Sequence, residues 1–397
     1  MIQMTEEQLK TLGSEILSDL NNKVFSKIFD YIAFFPDKKN KINPAFPFPK
    51  QVNINIIDGY LIVECIGPEQ ENEEEVKAIF NHQPSQTIAN FFGIYQDNTK
   101  TPRLPCVGDM SNTNFFFGKS LEYLCDYFYD FQSIHADTVL NGMIDFNSIK
   151  KPMVFNNCSF FYTDETESLK IRHIDFMEIW PFLKEGSKEK IVYHDEDSYP
   201  TLAKYIIETT RPPYDIKLHK ILNDFIELIS LETTIETDIT TFIENHPELL
   251  QLAFGFKRLN PQKILKWLDR SGVPDLKPDF LPEDMSGYCN ILDFKLPRLK
   301  SKPIVGKVNR EQPSFEIDSC IAQLETYDEY CSQHIHQEWL ENEYKIKINA
   351  PRKYIIIGHS KDFSPKDRQK LKKSRDVTFL TYDEFIEMAR YQLYRIK

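Results

Sequence analysis

The chain has 397 residues, 48 of them Lys or Arg against 60 Asp or Glu, for a formal net charge of −12; at roughly 150 residues per domain there is room for two or three cores. With 41% hydrophobic and 27% charged residues the balance is that of a globular protein and excludes a disordered tail. The 13 glycines are spaced too widely to form G-x-G-x-x-G, G-x4-G-K-[ST] or G-x-S-x-G, which removes the readable dinucleotide fold, the P-loop and the hydrolase elbow.

In chain order, apolar residues at helical spacing (Leu9, Leu12, Ile16, Leu20, Val24, Ile28, Tyr31) predict an amphipathic helix over residues 1–35. Val52, Ile54 and Ile56 alternate, Asp58-Gly59 signals a turn, and Leu61-Ile62-Val63 continues the apolar run, which together read as a β-hairpin. Between Asn114 and Phe161 the chain is rich in Phe and Tyr, with helical character over Leu121 to Phe131 and strand character over Met153 to Tyr162. Lys184 to Asp197 is polar and reads as a loop, and helices follow over Tyr199 to Thr210 and, past Pro212-Pro213, over Ile216 to Leu231.

The remainder alternates helix and strand: helix Ile235 to Leu252, strands Asp279 to Leu281 and Tyr288 to Leu296, long helix Phe315 to Gln333, strand Lys353 to Ile357, helix Pro365 to Lys373, strand Val377 to Leu380 and helix Asp383 to Arg395. Thr381 supplies an N-cap and Asp383 and Glu384 an acidic first turn for the last helix. Such alternation is α/β. It divides the chain into an α+β region of unassigned fold, residues 1–220, and an α/β domain, residues 221–397.

The seven cysteines are an odd number, contain no Cys-x-x-Cys pair and read as reduced core thiols. No apolar run reaches the 18 or so residues of a membrane helix, and the first 20 residues lack a signal-peptide core; the expectation is a cytoplasmic protein with no membrane partner. Charge is uneven: residues 221–397 hold 26 basic and 28 acidic side chains, leaving 22 and 32 for residues 1–220, and Lys257 to Arg310 holds 12 against 6, a local +6. Such a segment is either a polyanion-binding surface or a solvated face.

Chemistry concentrates at one place. Pro278-Asp279-Phe280 precedes Asp293-Phe294-Lys295 by a loop with Glu283, Asp284 and Gly287. Along a strand Asp293 and Lys295 share one face and Phe294 takes the other. Asp279, at the end of the neighbouring strand, brings a second carboxylate, and two carboxylates with a backbone carbonyl make an oxygen site suited to magnesium. A metal so held polarises a phosphate and acidifies water, while a lysine orients or deprotonates the attacking water and steadies the developing charge. The bare pattern also occurs at Asp37-Lys39, Glu75-Lys77 and Glu343-Lys345, but only at 293–295 is it flanked by strand residues Ile291, Leu292 and Leu296. Pro274-Asp275 competes with Pro278-Asp279, which is preferred because Phe280-Leu281 continues as a strand. On the long helix Ile317, Cys320, Ile321, Leu324 and Tyr327 form a core stripe; Gln323 beside it either holds a water or phosphate oxygen at the site or caps a strand. His246-Pro247 reads as a helix-terminal turn and His334-x-His336 as a surface turn.

The ordered set Glu236-x5-Phe242-Ile243-Glu244-Asn245-His246-Pro247-Glu248-Leu249-Leu250, Pro278-Asp279-Phe280, Asp293-Phe294-Lys295-Leu296-Pro297, Gln323-Leu324-x2-Tyr327, Ile355-Ile356-Ile357-Gly358 and Thr381-Tyr382-Asp383-Glu384-Phe385 resembles the Shedu family of anti-phage defence proteins over about residues 230–390. The resemblance implies a C-terminal nuclease domain of the PD-(D/E)xK type, a restriction-endonuclease-like mixed sheet flanked by helices. It further implies Asp279 and Asp293 as ligands of Mg2+, with Mn2+ as a substitute, Lys295 as the catalytic lysine, Gln323 as the helix glutamine and Glu236 as the acidic residue of the first core helix. The function it implies is a metal-dependent DNA endonuclease, with the N-terminal region as sensor, regulator or platform of a homo-oligomer, dimer or tetramer. The alternative is a non-catalytic DNA-binding or scaffold protein that keeps the fold.

Overall fold

The computed structural model describes residues 5–43, 45–46, 49–57, 59–67, 76–94, 104–105, 109–127, 138–141, 144–145, 149, 151–185, 188–190, 198–208, 213–307, 310–374 and 376–395. The chain separates into two compact units, one of Met1–Tyr123 with Gln132–Asp224 and one of Leu124–Phe131 with Phe225–Lys397.

In the first unit, helices α1 (Glu6–Leu20) and α2 (Ser26–Phe34) are joined by one π-helical turn, Asn21–Phe25, so the predicted single helix is continuous but locally underwound. Strands β1 (Gln51–Ile57), β2 (Tyr60–Ile66), β3 (Lys77–Gln83), β4 (Met110–Ser111), β5 (Thr113–Phe116), β6 (Thr138–Asn141), β7 (Met153–Thr163) and β8 (Leu169–Pro181) form one mixed sheet. Its order is β3-β1-β2-β8-β7-β5-β6, with β4 also on β7. β1 and β2 are the expected hairpin, in register Val52↔Cys65 and Ile54↔Val63; Gly59 takes φ +76 in its turn, while Asp58 lies outside the described residues. Because side chains alternate, Val52, Ile54 and Ile56 share a buried face with Leu9, Ile16 and Val24 of the helical segment. The opposite face carries Phe115, Phe155 and Phe160 in edge-to-face contacts of 4.8 to 5.7 Å. The aromatic density of this region therefore becomes core. Short helices α3 (Ile88–Phe91) and α4 (Ser120–Tyr127) follow β3 and β5 in sequence; the part of the predicted helix past Tyr127 lies outside the described residues. The stretch read as a loop contains two paired three-residue strands, Leu183–Glu185 and Lys188–Lys190, and residues 191–197 lie outside the described set. α5 (Ser198–Glu208) and α6 (Pro213–Ser230) are the two expected helices.

The second unit begins on the last residues of α6 and continues with α7 (Glu236–Asn245) and α8 (Glu248–Phe254). The sequence predicts one helix here; Pro247 divides it, since it has no N–H to continue the ladder, and it serves as the N-cap residue of α8. α8 ends at Gly255 in the left-handed region, φ 73. Residues 255–290 are irregular, tied by isolated bridges such as Pro261↔Phe280 and Phe280↔Leu292. The expected strand Asp279 to Leu281 is thus a single antiparallel bridge beside β9 (Ile291–Phe294). β9, β10 (Lys353–Ile356) and β11 (Thr378–Leu380) are parallel, in the order β9-β10-β11, which makes the domain α/β. On one face Ile291, Ile355 and Ile357 pack with Ile317, Ile321 and Leu324 of α9 (Phe315–Ser332). On the other, Phe294 meets Phe280, Phe385 and Tyr382 at ring distances of 5.9, 5.9 and 6.3 Å; Tyr382 and Phe385 belong to α12 (Tyr382–Arg395). α11 (Pro365–Ser374) lies between β10 and β11 in sequence.

The surface turn expected at His334 to His336 is corrected by the structure: these residues open α10 (His334–Tyr344). His336 is fully buried and stacks on Tyr330 with ring centroids 4.0 Å apart. The Leu268 N–H donates to His336 Nε2 at 3.2 Å, and Nδ1 stands 3.1 Å from the Tyr330 carbonyl. Both ring nitrogens are thereby occupied, and the residue is a core histidine.

Candidate active site

Asp293 is the third residue of β9 and Lys295 follows its end. Phe294 points into the aromatic layer, which forces its two neighbours onto the opposite, α9-facing side. Asp293 is buried, with a side chain 2% exposed, and its Oδ2 stands 3.0 Å from Lys295 Nζ. The Lys295 backbone is held at both ends: its N–H donates to the Ile356 carbonyl at 2.9 Å and its carbonyl accepts from Tyr382 Oη at 2.5 Å. The ammonium is therefore presented from a fixed backbone.

Asp279 is locked against Asp293 by exchanged hydrogen bonds. Its backbone N–H donates to Asp293 Oδ1 at 3.1 Å, and its own Oδ2 accepts from the Phe294 N–H at 2.8 Å. Two carboxylates are thus brought together in low dielectric. Burial first, and then the Asp293 charge, push the Asp279 carboxyl up to about 7, against the opposing pull of the Phe294 N–H and Lys295. Glu236, the first residue of α7, reaches the same place: its Oε2 is 3.6 Å from Lys295 Nζ, on a side chain 46% exposed. Burial disfavours the Lys295 charge, but Asp293 and Glu236 outweigh it and the pKa rises above that of a free lysine. Lys295 is an ammonium at neutral pH.

Gln323 does not bond to this cluster. Its Nε2 donates to Tyr327 Oη at 2.6 Å, and Tyr327 Oη donates to the Lys277 carbonyl at 3.2 Å. Burial and the charge of Asp293 push the Tyr327 hydroxyl above its ordinary range, so it stays protonated and donates. Cys320 faces the cluster as well: burial holds its thiol up at about 11, with Lys295 pulling the other way. In the sequence Cys320 and Tyr327 belong to the core stripe, and Tyr327 also to a family block; they stand three residues before and four after Gln323, a helical spacing that shares a face. Tyr382 stands in the sequence at a helix start and within a family block, with no role marked for it. Its grip on the Lys295 carbonyl has no local signal because 87 residues separate the two.

Three carboxylates face one ammonium here, so the site carries excess negative charge in a partly buried place. Among the described residues no group of three His, Cys, Asp or Glu side chains stands ready as a complete metal site. The donor chemistry nevertheless fits a hard cation that takes one or two protein carboxylates and keeps its waters, as magnesium does. Within the basic segment, Arg298 donates to the Ser230 carbonyl and stands 3.6 Å from Glu232, and Arg270 Nη2 binds Glu329 at 2.5 Å over the Trp267 ring. Lys300, Lys302, Lys307 and Arg310 are exposed.

The class this defines is an α/β domain with a carboxylate and lysine cluster at the end of a parallel strand. Residues 233–386 match the family model described as Shedu protein SduA, C-terminal, and the match supports the Shedu family for this region. That family is one of anti-phage defence. Glu236, Asp279, Asp293, Lys295 and Gln323 all lie inside the matched span; residues 1–232 lie outside it. No curated protein matches the chain. Among the described residues no helix is long and apolar enough to cross a membrane.

Proposed function

We propose that the C-terminal domain is a metal-dependent DNA endonuclease of the PD-(D/E)xK type with a restriction-endonuclease-like core, and that this activity is its contribution to defence. The observation that carries the reading is the joining of Asp279, Asp293 and Lys295 at one strand end. Asp279 and Asp293 would hold Mg2+, or Mn2+ in its place, with Glu236 as the outer acidic residue. Bound there, the metal supplies Lewis acidity and lowers the pKa of water.

The protein's own groups do the rest. Lys295, kept cationic by its carboxylate neighbours, steadies negative charge accumulating on the phosphoryl oxygens; a cationic lysine also orients the attacking water but does not deprotonate it. The Tyr382 and Ile356 contacts fix its backbone, so no reorganisation is needed as charge develops. Gln323 acts through Tyr327, holding the loop that carries Lys277, two residues before Asp279. DNA is the partner, met mostly at its phosphates, and the N-terminal unit regulates or assembles the chain into a homo-oligomer. Supercoiled plasmid incubated with the full-length protein tests this: nicking that requires magnesium and disappears with chelator is expected. A protein that binds plasmid but never nicks it, with either metal, returns the family domain to a non-catalytic role.

A further inference from the structure

The most exposed large apolar side chain among the described residues is Phe315, at 89%. It is the first residue of α9, yet the helix does not need it. Ser314 is the cap, accepting from the Ile317 N–H, and the core stripe starts at Ile317. The neighbourhood of Phe315 is fixed by backbone contacts: the Ser314 N–H donates to the Pro303 carbonyl at 2.8 Å, Pro313 pairs with Ile304, and Glu316 Oε2 accepts from the Lys300 N–H at 3.0 Å. Residues 300–304 therefore run beside Phe315, and they bring Lys300 and Lys302, both exposed. Neither ammonium has an ion-pair partner among the described residues. The segments that carry these residues also lead to the carboxylate and lysine cluster: Lys300 lies five residues beyond Lys295, and Cys320 lies five residues beyond Phe315 on the helix, a rise of about 7.5 Å.

We propose that Phe315 is a stacking platform for an unpaired base of single-stranded DNA, with Lys300 and Lys302 holding the adjoining phosphates. This rests on the nuclease reading and adds the strand state of its substrate. An aromatic face next to free cations is the chemistry that binds single strands irrespective of sequence. A paired base has its faces covered by its neighbours and offers none to a side chain, so the arrangement selects unpaired DNA beside the cluster. Charge decides between this occupant and a second copy of the chain: a two-fold pairing of this face would set the same two unpaired lysines against each other, whereas a phosphate strand is attracted by them.

Binding of the full-length protein to a fluorescently labelled oligothymidylate and to a fully paired duplex, both in chelator so that nothing is cut, tests the inference. Phe315→Ala should weaken single-strand binding about tenfold, within the five- to hundredfold range of one base stack, and change duplex binding less than twofold. Phe315→Trp should restore the affinity, and its added fluorescence should fall when the strand binds. Equal losses on both DNAs, no loss with alanine, or failure of tryptophan to restore binding would overturn the proposal. So would a drop in the protein's apparent mass with DNA binding unchanged, which would make the ring a contact between copies. Because cleavage is not measured, a protein that never nicks plasmid can still pass this test, and one that nicks can still fail it.

Discussion

In the proposed nuclease, Lys295 is the residue on which the chemistry turns. Lys295→Ala removes the one cation among three carboxylates, and in a pre-organised site the loss of a single charge-stabilising donor costs roughly a hundred- to a thousandfold in rate. Plasmid nicking by this variant should fall below detection while its thermal melt still shows a folded protein, because the raised Asp279 carboxyl takes up a proton and relieves the exposed charge. Magnesium should raise the melting temperature of the wild type, and Asp293→Ala should lose both that rise and nicking. Undiminished nicking by the lysine variant would remove the mechanism. A second residue sets acid stability in the other unit. Asp175 is buried on β8, where burial opposes its charge, but His173, Lys220 and the Gly67 N–H outweigh it and hold the carboxyl down at about 2. The folded value is below the unfolded one, so the contribution, about 2 kcal/mol, is fully present above pH ~4 and is lost as pH falls through about 2. Urea titrations of wild type and Asp175→Asn should differ by that amount at pH 6 and converge near pH 2; a constant gap would refute the assignment.

Elements with their own periodic signal were legible. Alternation in Ile291-Leu292-Asp293-Phe294 gave β9 and the shared face of Asp293 and Lys295, and the stripe from Ile317 to Tyr327 gave α9. α10 was missed because its pattern is weak: only His336 and Leu340 of its 11 residues are buried. The segment from Gly255 to Asn290 has no period to read, since isolated bridges and side-chain bonds order it in place of a ladder. Turn glycines are another readable feature, and Gly358 shows what one does. It follows β10 with φ +63, and an added Cβ would fall 3.0 Å from Phe363 Cε2 and 3.2 Å from Leu299 Cγ. Its N–H donates to the Leu296 carbonyl and its carbonyl accepts from the Tyr382 N–H, so the turn connects the chain after Lys295 to the start of α12. Gly358→Ala should cost about 1 to 3 kcal/mol in urea unfolding and lower nicking more than the stability loss explains, by shifting Tyr382. A variant as stable and active as wild type would show that the turn accommodates the methyl group.

Charge acts over the entire chain. With a total of −12 and a local +6 over Lys257 to Arg310, the proposed attraction to DNA has to be local and steeply salt dependent. The structure narrows that segment, since Arg298 and Arg270 are committed to partners within the domain and Lys295 to the carboxylates, while Lys300 and Lys302 are exposed. Lys300→Gln with Lys302→Gln should weaken duplex and single-strand binding alike and flatten the logarithmic salt slope by about two units, close to one per phosphate contact. An unchanged slope would move the backbone contacts elsewhere, to Lys366 through Lys373 on α11.

What could be read without coordinates is whatever is encoded within a few residues: the β1-β2 hairpin, the α/β alternation after residue 221, the facing of Asp293 with Lys295, and the ordered blocks that resemble a Shedu C-terminal domain. Strand alternation and helical spacing are local geometry, and a chain must state them in its residues. The folded chain alone decided that Glu236 meets Lys295 across 59 positions, that Gln323 bonds to Tyr327 and not to the carboxylates, that Tyr382 clamps the Lys295 carbonyl and that His336 is interior. These contacts join segments far apart in sequence, and no local pattern has to foreshadow them, because they are selected by packing and by the cost of leaving a buried polar group without a partner.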